Sequence, residues 1–277
     1  MKFSALLLPA LLPTAFAASC GYEYPGFDPF NATSAESRRS LNSIDKRQTY
    51  EIGIFFHLMV KSAPPAGYDA GVRSQVAYLN RNFAPWGFTF ALQGITVTVN
   101  PVWAQDIGTD LPAKMHALHR GGYDMLNIFV PEGAGGGQCT LPLASSNPVN
   151  QDQLDLDGCF VPMNVATSAN AGTVAHETGH WLSLLHVWDG GCTPLGDGCT
   201  DTSPQTQPSY GRMSRPNDLN SCPAGSQCTA GVFDNVNNFM DYTDCSHEFT
   251  SCQGNRMRDA WIRYRKNRAW VPGTIIH

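Results

Sequence analysis

The string His176-Glu177-Thr178-Gly179-His180 places two histidines four residues apart around a glutamate, and His186 follows six residues later. On a helix, positions i and i+4 lie one turn apart on the same face, so the imidazoles of His176 and His180 converge on one point. Glu177 falls one step round the helix, where its carboxylate reaches a metal-bound water without being a ligand itself. His186 joins them only if the helix stops, because six more residues at about 100° each would swing it roughly 240° away. The spacing therefore predicts a turn soon after Leu182. Given that turn, three imidazoles leave one tetrahedral position of a Zn²⁺ open, as in a catalytic site. The plainer alternative is a helix whose histidines are merely solvated or capped. It explains a lone H-E-x-x-H better than it explains three histidines at these separations.

The residues before this motif describe a secreted precursor. Lys2 precedes an apolar run around Ala5 to Leu12, and the small residues of Ala15-Phe16-Ala17-Ala18 suit signal peptidase, so residues 1–18 read as a signal peptide. The run is too short to span a membrane, Pro9 and Pro13 argue against a core helix, and no later segment approaches about 20 apolar residues. Residues 19–47 are polar, carry Pro25 and Pro29, and end at the dibasic Lys46-Arg47. They are expected to be a pro-segment, with Gln48 as the mature N-terminus. The glycosylation sequon at Asn31 lies inside that segment.

The remaining residues, 48–277, are enough for one domain with a real core. There, 13 Lys and Arg stand against 19 Asp and Glu, which disfavours nucleic acid and anionic membrane as partners. Six of those basic residues fall between Arg256 and Arg268, where a solvated, ion-paired helix is the expectation. Of nine cysteines, Cys20 lies in the pro-segment. The other eight fit four disulfides of an oxidising compartment, although eight cysteines allow 105 pairings. A cysteine zinc site is disfavoured, since no C-x-x-C occurs.

The elements that must position the histidines follow from pattern. A strand is predicted over Tyr50 to Val60, and a helix over Ala70 to Phe83, with Val72, Val76, Leu79 and Phe83 at helical spacing. Phe88 to Leu92 and Ile95 to Asn100 read as a hairpin around Gln93-Gly94. A second helix is expected over Asp110 to Arg120 with Asp110 as N-cap. Strands follow over Met125 to Val130 and Gly158 to Met163, and the histidine helix over Thr173 to Leu182. Residues 187–238 are dense in Gly, Pro, Asp, Asn and Cys, and such a stretch needs cross-links to become ordered. A last helix is predicted from about Gln253 to Ala269. His57 reads as structural. His116 and His119, at i and i+3, offer a metal pair but sit where a helix C-terminal dipole would hold them.

Downstream, Asn237-Asn238-Phe239-Met240-Asp241-Tyr242 places Met240 in a tight turn, an apolar floor beneath the histidines. With this motif the chain resembles the metzincin metallopeptidases, specifically the pappalysin (cytophagalysin) family and its secreted fungal members. The strings TVAHETGHWLSLLH, NFMDYTDC, HEFT and FFHLMV carry the resemblance across the mature chain. It implies an α/β (α+β) fold: a twisted mixed sheet with a backing helix and an active-site helix in an upper subdomain (about 48–186). An irregular, disulfide-rich lower subdomain ending in a helix would then complete the domain (about 187–277), with a substrate cleft between the halves. One position departs from the extended signature, because Ser183 stands where the family has glycine at the helix break.

By that resemblance His176, His180 and His186 bind one zinc ion, Glu177 is the general base and Tyr242 stabilises the oxyanion. Cys20 would act as a latency thiolate. Cys222 would pair with Cys245, Cys228 with Cys192 or Cys199, and, by elimination, Cys139 with Cys159. Calcium is a further cation that some relatives carry, with Asp197, Asp201 and Thr202 as the ligands it would use here. The expected function is secreted, zinc-dependent endopeptidase activity on proteins or peptides by a monomer. The alternatives are a catalytically idle, disulfide-stapled binding module and a zinc hydrolase of non-peptide bonds.

Overall fold

In the computed structural model the described residues are 48–143, 148–209 and 225–268. The proposed signal peptide and pro-segment, with Cys20 and Asn31, lie outside them, as does Cys222. Strand β1 (Tyr50–Val60) leads into helix α1 (Tyr68–Phe83), strand β2 (Phe88–Val99), helix α2 (Leu111–Leu118) and strand β3 (Leu126–Pro131). The short elements β4 (Gln138–Cys139), α3 (Gln151–Asp155), β5 (Cys159–Phe160) and α4 (Met163–Ala166) precede the histidine helix α5 (Gly172–Trp181). Helix α6 (Ser251–Ala260) runs into a π-helical turn, Trp261–Arg265.

The five strands lie in the order β2-β1-β3-β5-β4, parallel except for β4, which runs antiparallel to β5. The sheet is thus mixed, as expected. In β1 the alternate residues Ile52, Ile54, Phe56, Leu58 and Val60 are wholly buried and share one cluster with Val72, Val76, Leu79 and Phe83 of α1 and with Val174, Ala175 and Trp181 of α5. The opposite face carries a smaller cluster, Met59, Phe129 and Phe160 against Met115 and Leu118 of α2. Central β3 is buried at every residue, because both of its faces are covered.

Three expectations need correction. The predicted hairpin does not form. Phe88–Val99 is one strand, paired in parallel with the whole of β1, and Gln93 is the extra residue of a bulge between the Ile54–Leu92 and Phe55–Gly94 pairs. The Gln-Gly signal is answered by that bulge, since parallel pairing along all of β1 offers a longer ladder than a local turn. Asp110 precedes α2 in the left-handed region (φ 53°) and makes no side-chain cap. Its carboxylate instead accepts the Trp103 indole N–H at 2.7 Å. The basic residues of the last helix are not all solvated, because Arg258 and Arg265 are buried. Arg265 donates to Asp157 through both terminal nitrogens (2.8 and 3.1 Å) and to the carbonyl of Trp181 (2.8 Å), with its guanidinium 3.8 Å from the Trp181 ring centroid. A buried guanidinium of this kind is tolerated because every face of it is paired, and removing Asp157 would cost about 3–5 kcal/mol.

His57 is structural, as expected. Its Nε2–H donates to Asn127 Oδ1 (2.9 Å), its Nδ1 accepts from the Thr96 hydroxyl (2.9 Å), and its ring stacks on Phe129. His116 pairs with Asp155 at 2.8 Å while His119 meets the Asn127 amide at 3.1 Å, so the two do not form a metal pair.

Burial pushes the His57 pKa down to about 4. Its folded value is thus below its unfolded one, so the stabilisation is complete above about pH 6.5 and is lost as pH falls toward 4. The loss is on the order of 3 kcal/mol at full protonation. Denaturant midpoints at pH 7.5 and pH 4.5 should differ less in His57→Gln than in the unaltered chain. Equal pH slopes in the two would contradict this account.

Candidate active site

Helix α5 carries the first two histidines, and Val174 to Trp181 are all buried within it. It ends in a Schellman turn: Leu184 N–H donates to Gly179 O (2.9 Å) and Ser183 N–H to His180 O (2.7 Å). Such a turn needs a residue in the left-handed region, and Ser183 adopts it, with φ 80°. The helix break predicted from the spacing is therefore present, built on serine. Past it the chain doubles back and brings His186 beside the other two. The Nε2 atom of His180 lies 3.1 Å from that of His176 and 3.2 Å from that of His186.

These contacts are not hydrogen bonds, because the protons are held elsewhere. His176 Nδ1–H donates to Phe239 O (2.6 Å) and His180 Nδ1–H to Leu184 O (2.8 Å), while His186 Nδ1 faces the Asp189 carboxylate at 3.6 Å. His176 and His180 thus each carry the proton on Nδ1 and aim an Nε2 lone pair at the point where the three rings meet. Burial, together with the proximity of His186, pushes the His176 pKa down to about 3 and that of His180 well below its ordinary value. Both rings are neutral. Three lone pairs this close repel unless a cation lies among them, and ligands about 2.0–2.1 Å from a tetrahedral zinc would sit roughly 3.3 Å apart. The donor set fits Zn²⁺.

Glu177 is buried, and Gly137, just before β4, makes room for it. A Cβ added at Gly137 would lie 2.1 Å from Glu177 Oε1. The Cys139–Cys159 disulfide, present as expected, holds β4 to β5 at this place. Met240 is fully buried with its sulfur against Gly179, where an added Cβ would be 2.6 Å from Sδ. This explains a glycine in mid-helix between two ligands. The Met240 turn is fixed by Asn238, whose Oδ1 accepts Met240 N–H (2.9 Å) and whose amide exchanges two hydrogen bonds with Gln253 of α6 (2.8 and 3.1 Å). Asp241 accepts from Ser209, Gln205 and the Tyr242 N–H. Tyr242 places its hydroxyl 3.3 Å from His186 Nε2, and the His186 ring stacks on Trp188 at 4.2 Å.

Sequence reasoning missed the supporting roles of Gly137, Asn238, Asp241 and Gln253. Asn238 and Asp241 stood inside the Met240 motif, but Gly137 was one of a run of loop glycines with nothing to distinguish it. Among the remaining expectations, Cys228 pairs with Cys192. Cys245 is disulfide-bonded. The suggested calcium ligands are engaged within their loop and with α6: Asp197 accepts from Cys199 N–H (3.0 Å) and the Thr202 hydroxyl (2.6 Å), and Asp201 accepts Cys252 N–H (2.9 Å).

A family model described as Peptidase_M43, pregnancy-associated plasma protein-A, matches residues 123–261, a span that holds all three histidines and Met240. Extracellular metalloprotease 1 of Coccidioides posadasii is 32% identical over 274 residues, covering 94% of this chain and 95% of its own. The chain belongs to the Peptidase_M43 family. An extracellular metalloprotease of Podospora anserina is 35% identical over 302 residues, covering 96% of this chain and 99% of its own. In fold, this M43 chain matches a promirolysin variant from Tannerella forsythia with a TM-score of 0.63 at 21% identity, over 85% of this chain and 90% of that one. Membership makes the protein an extracellular zinc metalloprotease, and the His176, His180, His186 cluster with Glu177 is its metal-binding motif.

Relief of the left-handed strain at position 183 should show as stability. Ser183→Gly is expected to raise unfolding free energy by about 1 kcal/mol with zinc content unchanged, and a midpoint at or below that of the parent would refute the strain argument. Gly137→Ala should reduce turnover severely by driving the Glu177 carboxylate aside, while thermal unfolding moves little. A fully active Gly137→Ala enzyme would show that Glu177 is not held from that side.

Proposed function

We propose that the protein cleaves internal peptide bonds of extracellular proteins as a monomeric endopeptidase, with Glu177 as general base and Tyr242 as oxyanion donor. The observation that supports this reading best is the convergence of three Nε2 atoms, two of them on rings whose Nδ1–H is held by a backbone carbonyl, beside a buried carboxylate one residue from the first of them. His176, His180 and His186 would hold the zinc ion. When bound, Zn²⁺ polarises the scissile carbonyl and lowers the pKa of water toward 7.

The chain's own groups supply the proton transfers. The Glu177 carboxylate takes the proton of the attacking water and delivers it to the leaving amine as the C–N bond breaks. Its confinement beside Gly137 keeps it out of bulk water. Tyr242, packed edge-on against His186 and Trp188 and tilted against His176, brings a phenolic O–H to the edge of the cluster, where it donates to the oxyanion of the tetrahedral intermediate. Met240 gives the imidazoles an apolar support that holds their geometry without offering a competing ligand. The precursor reading belongs to the same proposal: a chain released after Lys46-Arg47 begins at Gln48, next to the first residues of β1.

Casein hydrolysis by the secreted protein, measured with and without a chelator, tests the reading. Glu177→Ala should lower turnover by about 10²–10⁴-fold while retaining one zinc per chain by metal analysis. Tyr242→Phe should lower kcat more than it raises KM. Retained casein cleavage in Glu177→Ala would remove the general-base assignment.

A further inference from the structure

A second cluster of metal-type donors lies in the lower half. The sulfurs of Cys199 and Cys252 and a carboxylate oxygen of Asp201 all lie within 4.8 Å of one another. Cys199 is buried and Cys252 partly exposed, and neither belongs to the disulfides described above. Cys252 stands in the first turn of α6, whose N-cap, Thr250, forms a capping box with Gln253. The Asp201 carboxylate accepts Cys252 N–H at 2.9 Å, so the 197–201 loop is docked on the start of that helix. One turn on, on the same face, Arg256 donates through Nε to Ser183 O (2.7 Å) and through Nη1 to Asp197 O (3.2 Å). The circuit is closed: loop 197–201 meets α6 at Cys252 and again at Arg256, and Arg256 holds the left-handed residue that returns the chain toward His186.

We propose that Cys199 and Cys252 close into a disulfide in the secretory pathway, and that this bond braces the Ser183 turn from which His186 is presented. The chemistry needs an oxidant of the disulfide class, either oxidised glutathione or a protein disulfide carrier. Cys252 is the sulfur that attacks: it is the more exposed, and the hydrogen bond from Cys199 lowers its thiol pKa while raising that of Cys199. Its thiolate attacks one sulfur of the donor disulfide and expels one donor thiolate, leaving a mixed disulfide. Cys199 then gives up its proton and attacks Sγ of Cys252, releasing the second donor sulfur as a thiol. Two cysteine thiols lose two electrons and two protons, and one donor disulfide becomes two thiols.

A soft cation held by the two sulfurs and Asp201 is the competing occupant. It is disfavoured because Asp201 is already committed to the Cys252 N–H, because only three donors gather there among the described residues, and because an extracellular protein meets an oxidising milieu. The disulfide makes no use of zinc at the histidines. The bracing effect rests on the zinc reading, so the two are tested by separate measurements.

Thiol mapping of the unaltered secreted protein decides the first. The chain is unfolded without reductant, alkylated, digested and weighed. A linked peptide pair containing Cys199 and Cys252 is expected, with no alkyl group on either. Alkylation of both overturns the disulfide, as does protection that vanishes when a chelator is added before unfolding, since that is the signature of a metal. The double variant Cys199→Ser with Cys252→Ser should melt roughly 10 °C lower and lose zinc to a chelator roughly ten-fold faster. Arg256→Ala, which leaves the sulfurs intact, should speed zinc loss similarly and covers the case in which the double variant does not fold. Zinc release unchanged in a folded variant of either kind overturns the bracing role. A parent protein that binds no zinc would instead sink the metalloprotease reading and leave the thiol map standing.

Discussion

A straight helix brings two imidazoles to one point and carries a third, six residues on, round to its far side. The whole site depends on how the chain escapes that geometry at Ser183. The Schellman turn satisfies the carbonyls of Gly179 and His180 and leaves Leu184 O free to accept His180 Nδ1–H. The backbone that ends the helix is therefore also what orients the second ligand. Serine takes the left-handed conformation at a cost of about 1 kcal/mol that glycine would avoid. Arg256 on the Ser183 carbonyl is one of the contacts that offset it.

Everything packed around α5 holds that turn from a different side. At one end Trp181 is locked by its indole N–H on Asp157 and by the Arg265 guanidinium over its ring. Below, Met240 fits against Gly179, and Phe239 O accepts the hydrogen bond from His176 Nδ1–H. Asn238 links that floor to Gln253 of α6. The C-terminal helix thus reaches α5 at its ligand turn and at its end, while the sheet supplies an apolar backing and, through β4 and β5, the disulfide beside Glu177. Residues distant in sequence, such as Asp157 and Gln253, thus reach the histidine helix and its floor through these contacts.

The parts legible in sequence were those where one period or one spacing dominates. Alternation marked β1, helical spacing marked α1, and continuous apolar character marked β3. Gln93-Gly94 was read as a turn because its local signal matches one, yet eleven residues of parallel pairing with β1 place it in a bulge. Arg258 and Arg265 read as solvated for a similar reason: their partners, Gln48 O, Trp86 O and Asp157, are each more than a hundred residues away. Asp110 has the residue type of an N-cap, but a tertiary partner, the Trp103 indole, claims its carboxylate.

The sequence by itself pointed to the residues that would hold a metal, since the i, i+4 histidine pair, and the break after Leu182 that His186 needs to join it, follow from helical periodicity. It also determined the apolar faces of the sheet and the need for cross-links in the stretch after His186. Only the tertiary structure decided how each imidazole is oriented, which glycine shelters Glu177 and which cysteine pairs with Cys228. Those choices depend on donors, acceptors and surfaces far apart along the chain, and periodicity reports only on neighbours a turn or two away.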